Sequence, residues 1–191
     1  TSLVPVSYLY GIDKVRESLE DHVVGKFIKD TIFEEICLTL DLPEQELKQF
    51  SNAVLERFRN PYLEHDLISI SLNSISKYKI RLLPSVLEYI RRENALPKRL
   101  LFSLAALIAF YRGDRNGVNI PLKDDQSVLD FFAAQWVAFD VKATAKATLQ
   151  NVDFWGQDLT QFNGLLEEVT TSLNAITKHG MKEALNDFMK Y

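Results

Sequence analysis

Residues 100–110 read LLFSLAALIAF, and this apolar run decides the fold class of the chain. The run follows Pro97, a residue that favours helix starts, and it contains no charged residue. A helix that is apolar on every side has to be buried on every side. The run is too short to span a bilayer, which needs about 20 apolar residues. It therefore predicts a central helix over 98–111 with the rest of the chain wrapped around it.

Most of the remaining chain repeats apolar residues at helical spacing. The predicted helices cover 12–20 with Asp13 as a cap, 21–40, 43–58, 60–84, 84–91, a segment that begins after Asp124 or Asp125, 140–149, 159–177 and 180–190. The segment RGDRNGVNIPLKDD, residues 112–125, is predicted to be a loop. No stretch alternates apolar and polar residues for long enough to predict a β-strand. The expected architecture is all-α and multi-helical, without internal repeats.

Spacing also predicts which side chains of these helices face the core. The inward residues of the 43–58 helix are expected to be Leu47, Phe50, Val54, Leu55 and Phe58. An aromatic core stripe is expected at Phe131, Phe132, Trp136 and Phe139. The single cysteine, Cys37, lies in an apolar run and is predicted to be a buried, inert thiol.

Composition limits the class of protein. The chain has 191 residues, of which 47% are hydrophobic and 25% charged, and this predicts one globular domain over 1–191. A net charge of -4 without a long basic tract argues against a non-specific nucleic-acid surface. The start, TSLVPVSYLYG, lacks both an initiator Met and the charged region of a signal peptide, so the chain is expected to begin inside a larger protein. With one cysteine, a reducing, cytoplasmic location is expected and membrane attachment is not.

Common catalytic and cofactor motifs are missing from the sequence. Its seven glycines form neither GxGxxG nor GxxxxGK[ST], so this segment is not expected to bind a dinucleotide by itself. The three histidines, His22, His65 and His179, are far apart and no metal site is expected.

The segment NPYLEHDLISISLNSISKYKIRLLP, Asn60 to Pro84, is the best candidate for a binding site. Read as a helix, it has an apolar stripe at Leu63, Leu67, Ile70 and Ser74. A second stripe carries His65, Ser69 and Asn73 and ends in the cations Lys77, Lys79 and Arg81. Short hydrogen-bonding groups beside cations suit a polyhydroxylated, anionic small molecule. The alternative is a polar helix face whose groups bond to neighbouring backbone, with His65 as an ordinary surface or core histidine.

Several segments are similar to a known family: TSLVPVSYLYGID, VRESLEDHVVGKFI, LERFRNPYLEHDLISISLNSISKYKIRLLPSVLEY, LPKRLLFSLAALIAFYRG and DFWGQDLT. They resemble the C-terminal domain of the mannitol dehydrogenase family of long-chain polyol dehydrogenases, over essentially the whole chain. The segment SISLNSISK at 69–77 is similar to the corresponding sequence in the branch of the family that reduces tagaturonate. The resemblance implies an all-helical substrate domain of the 6-phosphogluconate dehydrogenase C-terminal type. It also implies two partners: a sugar-acid substrate, and the protein's own N-terminal Rossmann domain, which would bind NAD(H).

In this family the catalytic signature is Lys-x4-Asn-x2-His, followed by a stretch like Thr1–Pro5. The resemblance implies that these three residues lie just upstream of Thr1. No catalytic residue is then expected within 1–191, and the isolated segment is expected to be inactive.

The resemblance also suggests roles for the polar stripe. Lys77 matches a position where a basic residue reaches the substrate, whereas Ser69 falls where mannitol-specific members carry an Arg. This departure favours a uronate, whose carboxylate still needs a cation. Lys77 is the first choice for that cation. The predicted substrate-binding residues are Lys77, Ser69, Asn73, His65, Lys79 and Arg81. Two alternatives stay open: another reductase of the family, for fructuronate or mannitol, and a non-catalytic helical interaction module marked by an exposed apolar patch.

Overall fold

A computed structural model describes residues 3–60 and 65–190 of the chain. Helices dominate these residues, as predicted. The α-helices are α1 Leu3–Tyr10, α2 Val15–Glu20, α3 His22–Thr31, α4 Glu44–Phe58, α5 Ser74–Arg81, α6 Leu83–Glu93, α7 Lys98–Phe110, α8 Gln126–Val137, α9 Val141–Gln150, α10 Val152–Trp155, α11 Leu165–His179 and α12 Met181–Phe188. A π-helix at Ile32–Ile36 and 3-10 turns at Cys37–Thr39 and Leu159–Gln161 complete the helical elements.

The central helix is α7, and the prediction for it is confirmed. Every residue from Leu100 to Phe110 is buried, including Ser103, whose hydroxyl donates to the carbonyl of Leu100. Helices α1, α3, α9 and α11 all pack against it. An all-round apolar surface of this kind is satisfied only when neighbours cover each side.

The predicted 21–40 helix is only partly correct. It begins as predicted, because Asp21 accepts hydrogen bonds from the amides of Val23 and Val24 at 2.9 Å each. After Thr31 the chain widens into the π-helix and then tightens into the 3-10 turn. This change of winding accompanies the burial of Glu35, whose carboxylate accepts the amide protons of Arg99 and Leu100 in the first turn of α7. Those amides have no partner within their own helix, so Glu35 takes the place of a cap.

Two core predictions near α4 are wrong. Leu47 and Leu55 are buried, but Phe50 is 63% exposed and Phe58 is 37% exposed. The helix contacts the body of the fold through one narrow face, and this face is narrower than the apolar pattern suggests. Cys37 is half-buried and not fully buried, with its sulfur 3.4 Å from the hydroxyl of Ser51.

The 112–125 segment contains a short hairpin that the sequence did not predict. Strands β1 Asp114–Arg115 and β2 Val118–Asn119 pair antiparallel, with Asn116 and Gly117 at the turn. Both turn residues have positive φ, and Asn-Gly is the pair that favours such a turn.

Three further expectations near helix ends need correction. Helix α2 begins at Val15 with Lys14 as its N-cap residue, so Asp13 is not the cap. Phe139 is 55% exposed, because the chain leaves α8 in a left-handed conformation at this residue. Asp125 occupies the N-cap position of α8 without a side-chain hydrogen bond. Within the described part of the chain, no helix has the length and apolar character needed to cross a membrane.

Candidate functional site

The polar segment 60–84 is not the single helix that its spacing predicted. Only Ser74–Arg81 of its described part forms an α-helix before α6 begins at Leu83. Residues 65–73 are not helical: most of them form turns, and Asp66 pairs with Lys14 in an isolated antiparallel bridge. Hydroxyl side chains explain the difference, because Ser71 donates to the carbonyl of Ile68 and Ser74 donates to that of Ser71. Such local bonds compete with helical ones. Leu63, one member of the predicted apolar stripe, lies outside the described residues.

The turn segment is anchored to the N-terminal part of the chain. The amide of Val15 donates to the carbonyl of His65 at 3.0 Å, and the amide of Leu67 donates to that of Asp13 at 2.8 Å. The side chain of His65 is exposed, whereas that of Leu67 is fully buried. These bonds join two regions far apart in sequence, so they hold the turns where helical bonds do not.

Asn73 ends the turns and starts α5. Its backbone is left-handed, with φ 51° and ψ 49°, and its amide donates to the carbonyl of Lys123 at 3.0 Å. Asparagine tolerates this conformation better than most residues. The side chains of Asn73 and Ser69 are exposed, but with no helix before Ser74 they do not share a helical stripe with His65.

Lys77 lies one turn into α5, and its side chain folds back over the turns. Its ammonium donates to the carbonyl of Ile70 at 3.0 Å, next to Ser69 in the chain. Partial burial lowers the pKa of Lys77, and the nearby Arg81 lowers it further, whereas the carboxylate of Asp124 raises it. Lys77, Ser69 and Asn73 are therefore brought to one region, at the N-terminal end of α5.

Lys79 faces a different part of the fold. Its ammonium donates to the carbonyl of Asp153 at 3.2 Å, and a Cβ added to Gly156 would lie 4.0 Å from its nitrogen. The side chain thus neutralises the carbonyl end of the short helix α10. Its neighbour Tyr78 reinforces the contact through an edge-to-face packing on Trp155.

Arg81 is exposed and lies one turn after Lys77 on the same face of α5. Two cations at this spacing repel each other in the absence of an anion. Among the six predicted residues, then, the structure places Ser69 and Asn73 near Lys77 at the start of α5, with Arg81 one turn after Lys77. It points Lys79 towards α10 and places His65 at the far end of the turns.

Sequence reasoning missed two residues in this region, Tyr111 and Asp124. Tyr111 is buried directly after α7, and its hydroxyl donates to the carboxylate of Asp124. Asp124 was predicted as a possible helix cap, and Tyr111 was counted with the central helix. The sequence offered one hint of this pair, an acid and a phenol near the two ends of the predicted loop. Sequence spacing does not predict contacts between residues of separate elements.

A separate cavity of about 530 Å³ is lined by Lys26, Arg99 and Lys98, among others. It is a weaker candidate for an anion site. Lys26 pairs with Asp30, and the guanidinium of Arg99 pairs with Glu34 at 2.8 Å. These carboxylates already neutralise two of the cations that an anionic ligand would need. No group of three or more His, Cys, Asp or Glu residues able to hold a metal ion occurs in 3–60 and 65–190.

Comparison with known proteins identifies the family of the chain. Residues 1–177 match the model of the mannitol dehydrogenase C-terminal domain. The chain belongs to this family. Altronate oxidoreductase of Pectobacterium carotovorum subsp. carotovorum is 46% identical over 198 residues, which cover 98% of this chain and 41% of that protein. Altronate oxidoreductase of Escherichia coli O1:K1 / APEC is 44% identical over 190 residues, covering 97% and 39% respectively.

Solved structures support the same fold for this mannitol dehydrogenase C-terminal domain. Pseudomonas fluorescens mannitol 2-dehydrogenase, in a ternary complex with NAD and D-mannitol, superimposes with a TM-score of 0.85 at 16% identity. That match covers 99% of this chain and 38% of the other. A substrate-free D-sorbitol dehydrogenase matches with a TM-score of 0.79 at 17% identity, over 96% of this chain and 37% of the other. The chain thus spans about two fifths of the length of the relatives it matches.

Proposed function

We propose that this domain is the substrate-binding part of an NAD-dependent tagaturonate reductase, which interconverts D-altronate and D-tagaturonate. The observation that carries the proposal is the 46% identity to altronate oxidoreductase along 98% of the chain. The cationic end of α5 supports it. A uronate or aldonate carboxylate is the anion that the ammonium of Lys77 and the guanidinium of Arg81 would bind together.

The geometry narrows the choice of cation. Lys79 already donates to the carbonyl of Asp153, so using it for a substrate would leave the end of α10 without its cation. The bond from Lys77 to the carbonyl of Ile70 is made at a partly exposed site, and a carboxylate is a stronger acceptor than a carbonyl. We therefore assign the carboxylate to Lys77 with Arg81. Ser69 and Asn73 would contact hydroxyls, and His65 remains a candidate for a hydroxyl at the other end of the turns.

The remaining chemistry belongs to parts of a full-length protein outside this chain. The sequence has no glycine-rich phosphate cradle, so NAD would be held by an N-terminal Rossmann domain. When bound, NAD(H) supplies the hydride. The proton would come from a Lys-x4-Asn-x2-His signature upstream of Thr1, and the 191-residue chain alone is then inactive. What this chain supplies is orientation of the sugar acid, a contribution that lowers the barrier by fixing the geometry of the reacting carbon.

The experiment is kinetic and uses the full-length protein with D-tagaturonate and NADH. Lys77→Ala removes a charge-assisted hydrogen bond and should lower kcat/KM by about 10- to 100-fold, mainly through a higher KM. The matched control is Lys79→Ala on the same helix, which should change kcat/KM by less than about threefold. An unchanged kcat/KM in Lys77→Ala would sink the assignment.

The competing reductases of the family are separated in the same assay. A fructuronate reductase would prefer fructuronate, and a mannitol enzyme would reduce fructose. The interaction module has one supporting observation, the exposed side chains of Leu38, Leu42 and Phe50 around the start of α4. Full-length protein without reductase activity on any of these substrates would favour that reading.

A further inference from the structure

Tyr111 holds a carboxylate at a fixed place beside α5. Its ring stacks on Phe132, with centroids 4.5 Å apart and planes 17° from parallel, and its hydroxyl donates to Oδ2 of Asp124. Burial, followed by the hydrogen bond to Asp124 and the charge of that carboxylate, raises the pKa of Tyr111 far above its ordinary value. The phenol is therefore a permanent donor, and Asp124 is its acceptor. The stacked, buried ring has little freedom to move, so its hydrogen bond holds the carboxylate of Asp124 in one position.

The same loop supports the first turn of α5. The carbonyl of Lys123 accepts the amide proton of Asn73 at 3.0 Å. Asn73 is the N-cap residue of α5, and its amide has no partner within that helix, so the carbonyl of Lys123 stabilises the helix start. Asn73 offers no side-chain cap of its own.

Lys77 depends on this arrangement through its backbone. Its amide donates to the carbonyl of Asn73 at 3.0 Å, so any movement of Asn73 moves the backbone that carries Lys77. The charge of Asp124 is a secondary influence: it raises the pKa of Lys77, against the lowering by burial and by Arg81.

We propose that Tyr111 and Asp124 are positioning residues for Lys77: the stacked phenol fixes the carboxylate, and the carboxylate and its loop fix the start of α5, the helix that carries Lys77. The proposal rests on the proposed function only for what Lys77 binds. The juxtaposition of Tyr111, Asp124 and the start of α5 stands without it.

The kinetic test uses the full-length protein. Tyr111→Phe keeps the stacked ring and removes the donor, and it should raise the KM for D-tagaturonate about tenfold, with kcat changed by less than about twofold. Because Tyr111 acts through Lys77, adding Tyr111→Phe to Lys77→Ala should raise KM no further. The matched control is Tyr78→Phe, which removes another buried hydroxyl bond on α5, to the carbonyl of Leu100 at 2.7 Å, and should leave KM within about twofold. An unchanged KM in Tyr111→Phe, additive effects in the double variant, or an equal rise in Tyr78→Phe would each overturn the proposal.

A second measurement needs no substrate. Amide hydrogen exchange of the full-length protein, followed by peptide mass spectrometry, reports how readily the start of α5 opens. Tyr111→Phe frees Asp124 and its loop, so the amides of Asn73 and Lys77, which donate to the carbonyls of Lys123 and Asn73, should exchange at least about threefold faster, while peptides of α11 in the same protein serve as the internal reference. Faster exchange in a protein that does not reduce tagaturonate would support the positioning and refute the proposed function. An unchanged rate would refute the positioning whatever the substrate.

Discussion

Replacing Glu35 by glutamine should remove a pH dependence of stability that this buried carboxyl creates. Glu35 is 2% exposed, and its two oxygens accept the amide protons of Arg99 and Leu100 at 2.7 and 2.8 Å. Burial raises its pKa from the ordinary 4.5 to about 6, although the two amides and the charge of Arg99 lower it. Ionisation of Glu35 therefore costs free energy in the folded chain.

The size and sign of the effect follow from these two values. The interval from 4.5 to about 6 corresponds to about 2 kcal/mol, at about 1.4 kcal/mol for each pH unit. The folded chain binds the proton more tightly than the unfolded chain, so this stabilisation is fully present below pH 4.5 and is lost as the pH rises through about 6. A glutamine side chain at this position cannot titrate. The free energy of unfolding of the native chain, minus that of Glu35→Gln, should thus fall by about 2 kcal/mol between about pH 4 and about pH 7.5.

Urea denaturation followed by circular dichroism at a series of pH values measures this difference. Glu34→Gln is the matched control, because Glu34 also pairs with Arg99, at 2.8 Å, but has a side chain that is 57% exposed. The free energy of unfolding of the native chain, minus that of Glu34→Gln, should change by less than about 0.5 kcal/mol over the same pH range. A difference for Glu35→Gln that stays constant, or that grows with pH, would refute the reasoning.

Two further predictions concern packing and use the same urea assay. Gly25→Ala should destabilise the chain by about 1–3 kcal/mol in spite of alanine's higher helix propensity, because the new Cβ would lie 2.6 Å from the backbone oxygen of Leu19; an increase in stability would contradict the close approach of α2 and α3. Leu104→Ala in the centre of α7 should cost about 2–5 kcal/mol, whereas Phe50→Ala, at an exposed position, should change stability by less than about 0.5 kcal/mol. Equal losses in these two variants would mean that Phe50 is covered.

The helical architecture could be predicted because it depends on local patterns. The run at 100–110 is apolar on all sides, and apolar residues in α8, α9 and α11 repeat at helical intervals. The sequence of each segment therefore predicts a helix without reference to the rest of the chain. Asp21 likewise begins α3 as a local capping rule requires. The same rules failed where side chains compete with the backbone. At 65–73, serine hydroxyls and a left-handed Asn73 produce turns from residues whose spacing reads as helical.

The sequence by itself determined the all-helical class, the central helix, the family resemblance and the cationic character of the 77–81 segment. Only the tertiary structure decided which cation faces which neighbour: Lys79 meets the end of α10, whereas Lys77 donates to the carbonyl of Ile70. The bond between Tyr111 and Asp124 also appears only in the fold. The physical reason is that secondary structure follows from interactions between near neighbours in sequence, whereas the surroundings of a charged side chain depend on elements that packing brings together from distant parts of the chain.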